Sequence, residues 1–223
     1  MPSSDRGTPP DPRVESSSPR KRLTRQESQA RTRTLLLEVA TAEFLAHGYN
    51  ATSLERVADA AGFSKGAVYG NFAGKEELCL AVLERYFFAQ LQSFISEFAA
   101  GGESIEDRLG VLARWLETAL ADEKWQLLAL EFAVQTRHNQ KIQEQLAQRE
   151  AMMRTAVTAL LTQQIRQLGV EPVLPPDQLA VVLVAVVGGI AVQRLIDPTI
   201  PASLLTDAVR ALFRAPKPEG GSS

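Results

Sequence analysis

The chain has 223 residues, 45% of them hydrophobic, which is enough to bury one sizeable core or two small ones. Its formal net charge of -2 excludes a polycation, so contact with nucleic acid would have to come from basic residues placed locally. The single cysteine, Cys79, excludes an internal disulfide framework and a cysteine-based zinc site, and His47 and His138 lack ligand-like spacing.

Residues 1–19 carry Pro2, Pro9, Pro10, Pro12 and Pro19 among serines and charges, a composition that cannot bury a core and predicts disorder. No apolar segment there has the form of a secretion signal, and the chain is expected to be cytoplasmic. From Arg20 to Arg33, six basic residues stand against one acid, Glu27. This stretch reads either as a solvated tail or as an arm touching DNA phosphates. The arm is expected to extend over residues 1–30.

Everything beyond follows a helical period, which predicts an all-α fold of about nine helices. Leu36, Leu37, Ala40 and Phe44 mark a first helix that Gly48 ends. Leu54, Val57, Ala58 and Ala61 mark a short second helix, with Thr52 and Glu55 placed as a capping box. Gly62 stops it, and Ser64 caps a third helix that points Val68 and Phe72 inward. Lys75 opens a long fourth helix with an apolar stripe through Leu83, Phe87, Leu91, Phe94 and Phe98. Further helices are expected around 105–120, 123–136, 140–168, 176–195 and 202–213, punctuated by Pro172, Pro175, Pro176, Pro198 and Pro201. The uncharged run from Leu179 to Val192 is too short to span a bilayer and reads as a buried helix, so no membrane contact is expected.

The second and third helices meet at a tight turn containing Gly62, with Phe63 placed to plug the angle, which is a helix-turn-helix arrangement. The outer face of the third helix is Ser64, Lys65, Gly66, Ala67, Tyr69, Gly70 and Asn71. Small residues let a backbone lie close in the major groove, and the polar ones supply donors for phosphates and base edges. Two glycines in so short a helix cost about 1 kcal/mol each relative to alanine, which a helix kept only for stability would avoid.

This stretch resembles the tetracycline-repressor (TetR) family of one-component regulators. The resemblance runs from Phe44 to Leu78. It rests on Phe44-Leu-Ala-His-Gly48-Tyr49, Thr52, Val57-Ala58, Ala61-Gly62-Phe63-Ser64-Lys65-Gly66, Tyr69, Phe72 and Lys75-Glu76-Glu77-Leu78. It implies a two-fold dimer whose third helices enter successive major grooves of a roughly palindromic double-stranded operator. Carried onto matching positions, Thr52 and Tyr69 would bond phosphates, Ser64, Lys65, Gly66 and Ala67 would lie against base edges, and Lys75 would contact backbone. Asn71 stands where the family commonly has histidine and would donate to a phosphate. Gly70 replaces a larger polar residue and removes one potential base contact. The DNA-binding domain is therefore expected over residues 31–78, the effector-binding and dimerisation domain over 79–214, and a flexible tail over 215–223.

The body shows no catalytic motif, and neither an enzymatic activity, a cofactor nor a metal is expected. Glu131 and His138 would share a face if one helix ran through both, as a surface pair. By the resemblance, an effector cavity lies among the helices behind the reader, mainly apolar with a few polar groups. Tyr86, Phe94, Trp115 and Phe132 are its candidate apolar residues, and Gln135 and Arg137 its candidate polar ones. The last two helices read as a dimer interface through Leu183, Val187, Ile190, Leu205 and Val209, a four-helix bundle across the two-fold axis. The expected function is a ligand-responsive regulator, a repressor released from its operator by a small lipophilic or aromatic effector. An activator using the same reader, or an all-α enzyme or ligand carrier with a structural helix-turn-helix, are the alternatives.

Overall fold

A computed structural model describes residues 24–212, apart from 101, 103, 170 and 171. Among the described residues the fold is all-helical. Its helices are α1 (Arg25–Ala51), α2 (Leu54–Ala61), α3 (Lys65–Tyr69), α4 (Lys75–Ala99), α5 (Ile105–Ala121), α6 (Glu123–Gln135), α7 (Gln140–Leu168), α8 (Pro176–Ile196) and α9 (Ser203–Leu212).

Helix α1 begins within the stretch expected as an arm. Thr24 and Glu27 form a full capping box, each side chain bonded to the other's backbone N–H, and this starts the helix at Arg25. The basic residues before it, and the tail expected from residue 215, lie outside the described residues. Gly48 breaks α1 as expected, at φ 77 and ψ 174. The cap of α2 is a correction. Ser53, not Thr52, accepts from the Arg56 N–H, while Thr52 is buried and its hydroxyl donates to the Gly48 carbonyl at 2.9 Å. The turn is offset by one residue because Thr52 is needed to tie down the broken end of α1.

One core unites the reader with the base of the body. Leu36 and Phe44 of α1, Val57 of α2 and Val68 of α3 pack together with Leu83 of α4, Phe132 of α6 and Ile142 of α7. The core of residues 31–78 is thus continuous with residues of α4, α6 and α7. A second core joins Leu116 of α5 with Ile190 of α8 and Leu205 of α9.

Helix α8 is longer than its uncharged run suggests. It has 21 residues, and an 18-residue window of it has mean hydropathy 2.3, long and apolar enough to cross a bilayer by composition alone. One side of it, including Leu179, Ala180, Ile190 and Ala191, is nevertheless buried against other helices. The opposite side is uncovered, with Val181 and Val192 each about half exposed and Ile196 84% exposed.

Candidate nucleic-acid interface and cavity

The turn between α2 and α3 is built on Gly62, whose φ of 68 is the left-handed conformation that caps a helix without a Cβ penalty. Its N–H and that of Phe63 return to the last carbonyls of α2, and the Phe63 ring packs on the core. Ser64 caps α3 by accepting from the Ala67 N–H at 3.2 Å. A hydroxyl that accepts there can still donate to a phosphate. Val68 and Phe72 are buried, as expected, which turns the other side of α3 to solvent.

On that outer side Ser64, Lys65, Gly66 and Tyr69 are all exposed, and a Cβ at Gly66 would meet only the Ser64 hydroxyl at 3.8 Å. Ala67 and Gly70 flank them. Lys65 and Tyr69 both converge on Glu55 of α2. Lys65 Nζ lies 3.8 Å from its carboxylate, and Glu55 is held below the usual carboxylate range first by its own backbone N–H, then by Lys65, Ser53 and Tyr69. The two groups best placed for DNA are therefore already gathered around one anion.

Three expected DNA contacts are placed differently. Thr52 faces inward, as described. The Asn71 side-chain NH2 donates to the Ala67 carbonyl at 2.8 Å, while the Asn71 main-chain carbonyl accepts from Arg33, whose guanidinium lies 4.1 Å from the Phe72 ring centre. Asn71 therefore closes the end of α3 rather than pointing to a phosphate. Lys75 donates to the Asn50 carbonyl at 3.1 Å and sits 4.3 Å from the centre of the Tyr49 ring, where burial pulls its pKa down. It braces the junction between reader and body.

Behind the reader, α4, α5, α7 and α8 enclose a cavity of about 410 Å³. Tyr86, Phe94 and Trp115 line it, as expected. Phe94 and Trp115 stand 4.8 Å apart between ring centres, and the indole N–H donates to the Gln90 carbonyl at 3.2 Å. Phe132, Gln135 and Arg137 do not line it. Phe132 is fully buried against Tyr49 in the reader's core, Gln135 is exposed, and Arg137 folds back onto the Val134 carbonyl. The polar groups that do face the cavity, Gln90, Arg108, Gln126, Arg149, Glu150 and Gln164, were missed. They lie on helices whose polar residues mostly face water, so no local signal separates them. Helix α6 ends at Gln135, so His138 does not share its face with Glu131.

The residues expected at the dimer interface also turn inward. Leu183 and Val187 line the cavity, and Ile190, Leu205 and Val209 are buried in the second core. The uncovered side of α8 is instead Val181, Val182, Ala185, Gly188, Gly189 and Val192, continued by Leu204 of α9. A helix apolar on all sides carries no periodic signal for which side faces out.

A short helix exposing small and polar residues beyond a glycine turn, mounted on an all-helical body with an apolar cavity, has the architecture of a helix-turn-helix protein. Residues 36–82 match the family described as bacterial regulatory proteins, tetR family. The transcriptional activator FasR of Mycolicibacterium smegmatis is 42% identical over 65 residues, which cover 29% of this chain. The match spans only 28% of that curated relative's length. Among solved structures, the SmeT–triclosan complex superposes with a TM-score of 0.63 at 22% identity, covering 85% of this chain and 100% of that one. NalD, the secondary repressor of the MexAB-OprM multidrug efflux pump in Pseudomonas aeruginosa, gives 0.59 at 28% identity, covering 83% and 98%. Residues 36–82 thus resemble the TetR family, and the all-helical fold as a whole is shared with these solved structures.

Proposed function

We propose that the chain is a dimeric, effector-responsive transcriptional repressor of the cytoplasm, rather than an enzyme. It would bind a roughly palindromic operator through Ser64, Lys65, Gly66, Ala67 and Tyr69. One observation carries the reading: the buried face of α3, opposite the exposed one, shares a core with the base of α4 and α6, and α4 runs directly into the wall of the cavity. A molecule bound there touches α4 at Tyr86, Phe87 and Phe94, and α4 begins at Lys75, just beyond the reader. An effector that prefers the cavity shape of one α4 position would change the spacing of the two readers in a dimer; equal affinity for both positions would shift nothing.

The uncovered side of α8, with α9, is the surface we assign to the dimer. Ideal Cβ atoms built on Gly188 and Gly189 meet nothing within 4 Å, which leaves room for a partner helix to approach closely. An apolar effector is supported by the aromatic lining of the cavity and by the SmeT structure, which holds triclosan.

The test is selection of bound duplexes from a random pool by the purified chain, followed by sequencing. A recovered palindrome with half-sites about one helical turn apart supports the dimeric reader. No enriched sequence at moderate salt would count against it. The similarity to FasR favours a second reading, an activator with the same reader. Mapping the recovered operator relative to its promoter separates the two.

A further inference from the structure

The cavity carries an electrostatic asymmetry that narrows what it can hold. Its charged lining residues are Arg108, Arg149 and Glu150, two cations against one anion, so its net charge is +1. Nearly all the rest of the wall is aliphatic or aromatic. Glu150 is the most solvent-facing member of its pair, with 43% of its side chain exposed against 20% for Arg149, and it binds only Arg149 Nη2, at 3.1 Å.

Arg149 Nη1 is buried and has no partner. The guanidinium is fixed in place by the Phe87 ring, whose centre lies 4.6 Å from Cζ. A buried charged donor left unmet is costly, and a guanidinium fork is shaped to meet a carboxylate. Arg108 lies over Phe98, 5.6 Å from the ring centre, and its Nε is likewise buried and unpartnered. Phe87 and Phe98 are eleven residues apart on α4, roughly 16 Å along the helix axis. Gln164, on α7, is buried with its side-chain carbonyl unpaired. The unmet polar atoms are thus spread along an elongated apolar space, with the strongest of them, Arg149, near one end.

We propose that the effector is an amphipathic anion: one acidic group held by Arg149 Nη1, and a long apolar body extending along α4 toward Arg108. The assignment rests on the reading of this cavity as the effector site. An amphipathic cation of the same length would meet an uncompensated positive charge in apolar surroundings and is excluded by the same chemistry.

The experiment titrates the full-length protein with cis-parinaric acid, a fluorescent long-chain carboxylate, and reads energy transfer from Trp115 and Trp125. Its methyl ester and hexadecyltrimethylammonium are compared as competitors. Saturable binding of the acid is expected, with the ester weaker by about tenfold or more and the cation failing to compete. Arg149→Met should erase the preference for the acid over the ester. Arg149→Lys, which keeps the charge without the fork, should retain part of it and serves if the methionine variant does not fold.

Equal binding of acid and ester, or a preference unchanged in both Arg149 variants, overturns the anion assignment alone. Val187→Trp, which fills the cavity, tests the underlying reading separately. If acid binding survives it unchanged, the ligand is not in the cavity. If neither acid nor ester binds the folded wild-type chain, both the assignment and the effector site fall together.

Discussion

Glu131 of α6 accepts a hydrogen bond from the backbone N–H of Tyr49 at 2.7 Å, joining residues 82 positions apart. The same carboxylate lies over Gly48, where a Cβ would come within 2.9 Å of Oε2. Alongside, the Tyr49 ring stands edge-on to Phe132 with 5.4 Å between centres, and the Asn139 amide donates to Glu76 of α4. The reader is therefore latched to α6 at the point where α1 breaks, and motion of the body must pass through this junction or break it.

Two substitutions test the latch. Glu131→Ala leaves a half-buried N–H without its partner and should lower stability by about 1–3 kcal/mol. Gly48→Ala adds both a left-handed strain and a contact with Glu131, and should cost a similar amount, roughly 1–3 kcal/mol. Urea denaturation reads both. Stability unchanged in both variants would show that the junction bears no load.

The outward and inward residues of the reader should separate cleanly. Lys65→Ala should weaken operator binding by about 1–3 kcal/mol if it reads a base, and equally on random duplex if it only meets phosphate. Thr52→Val removes a buried hydroxyl bond and should cost about 1 kcal/mol of stability while sparing DNA affinity at temperatures where the chain is folded. Fluorescence anisotropy with specific and random duplexes distinguishes these outcomes.

For the dimer, Ala185→Glu places a charge on the uncovered side of α8 and should give folded monomers with lost operator binding. Val187→Glu instead enters the cavity and should destabilise the body. Analytical ultracentrifugation is the readout; a dimer that survives Ala185→Glu would move the interface elsewhere.

Residues 1–23 precede the Thr24 cap, so their deletion should leave α1 intact. If their basic residues meet phosphates, the dependence of affinity on salt should become shallower in the truncated chain. An unchanged slope would make them a solvated tail.

Alkaline stability should fall early. Burial, and then Glu76, push the Tyr49 phenol up to about 12, and burial pushes the Cys79 thiol upward as well. Both groups are neutral when protonated and hold their protons more tightly folded than unfolded. Their contribution is therefore complete below the unfolded values, near 8.5 for Cys and 10 for Tyr, and is lost as pH rises toward the folded values. Tyr49→Phe should remove on the order of 2 kcal/mol of the decline between roughly pH 10 and pH 12. Denaturation curves that stay parallel for both proteins would contradict this.

Much of this architecture is legible locally. Apolar spacing and caps mark the helices, and Gly62, Ser64, Val68 and Phe72 orient the reader, because each depends on neighbours within one or two helical turns. Thr24 and Glu27 carried an equally local signal for the start of α1 that composition alone obscured.

The rest required the packed chain. Whether Thr52 and Asn71 face DNA or protein depends on carbonyls presented by a broken helix end and a short helix's last turn. Which side of α8 lies outside depends on where α5, α7 and α9 settle, since its own sequence is apolar all round. Arg149 and Gln164 reach the cavity, and Glu131 reaches Tyr49, only because helices distant in sequence are brought together. Local periodicity determines what each helix is; the partner that covers each face is a long-range property, decided when the hydrophobic surfaces are buried against one another.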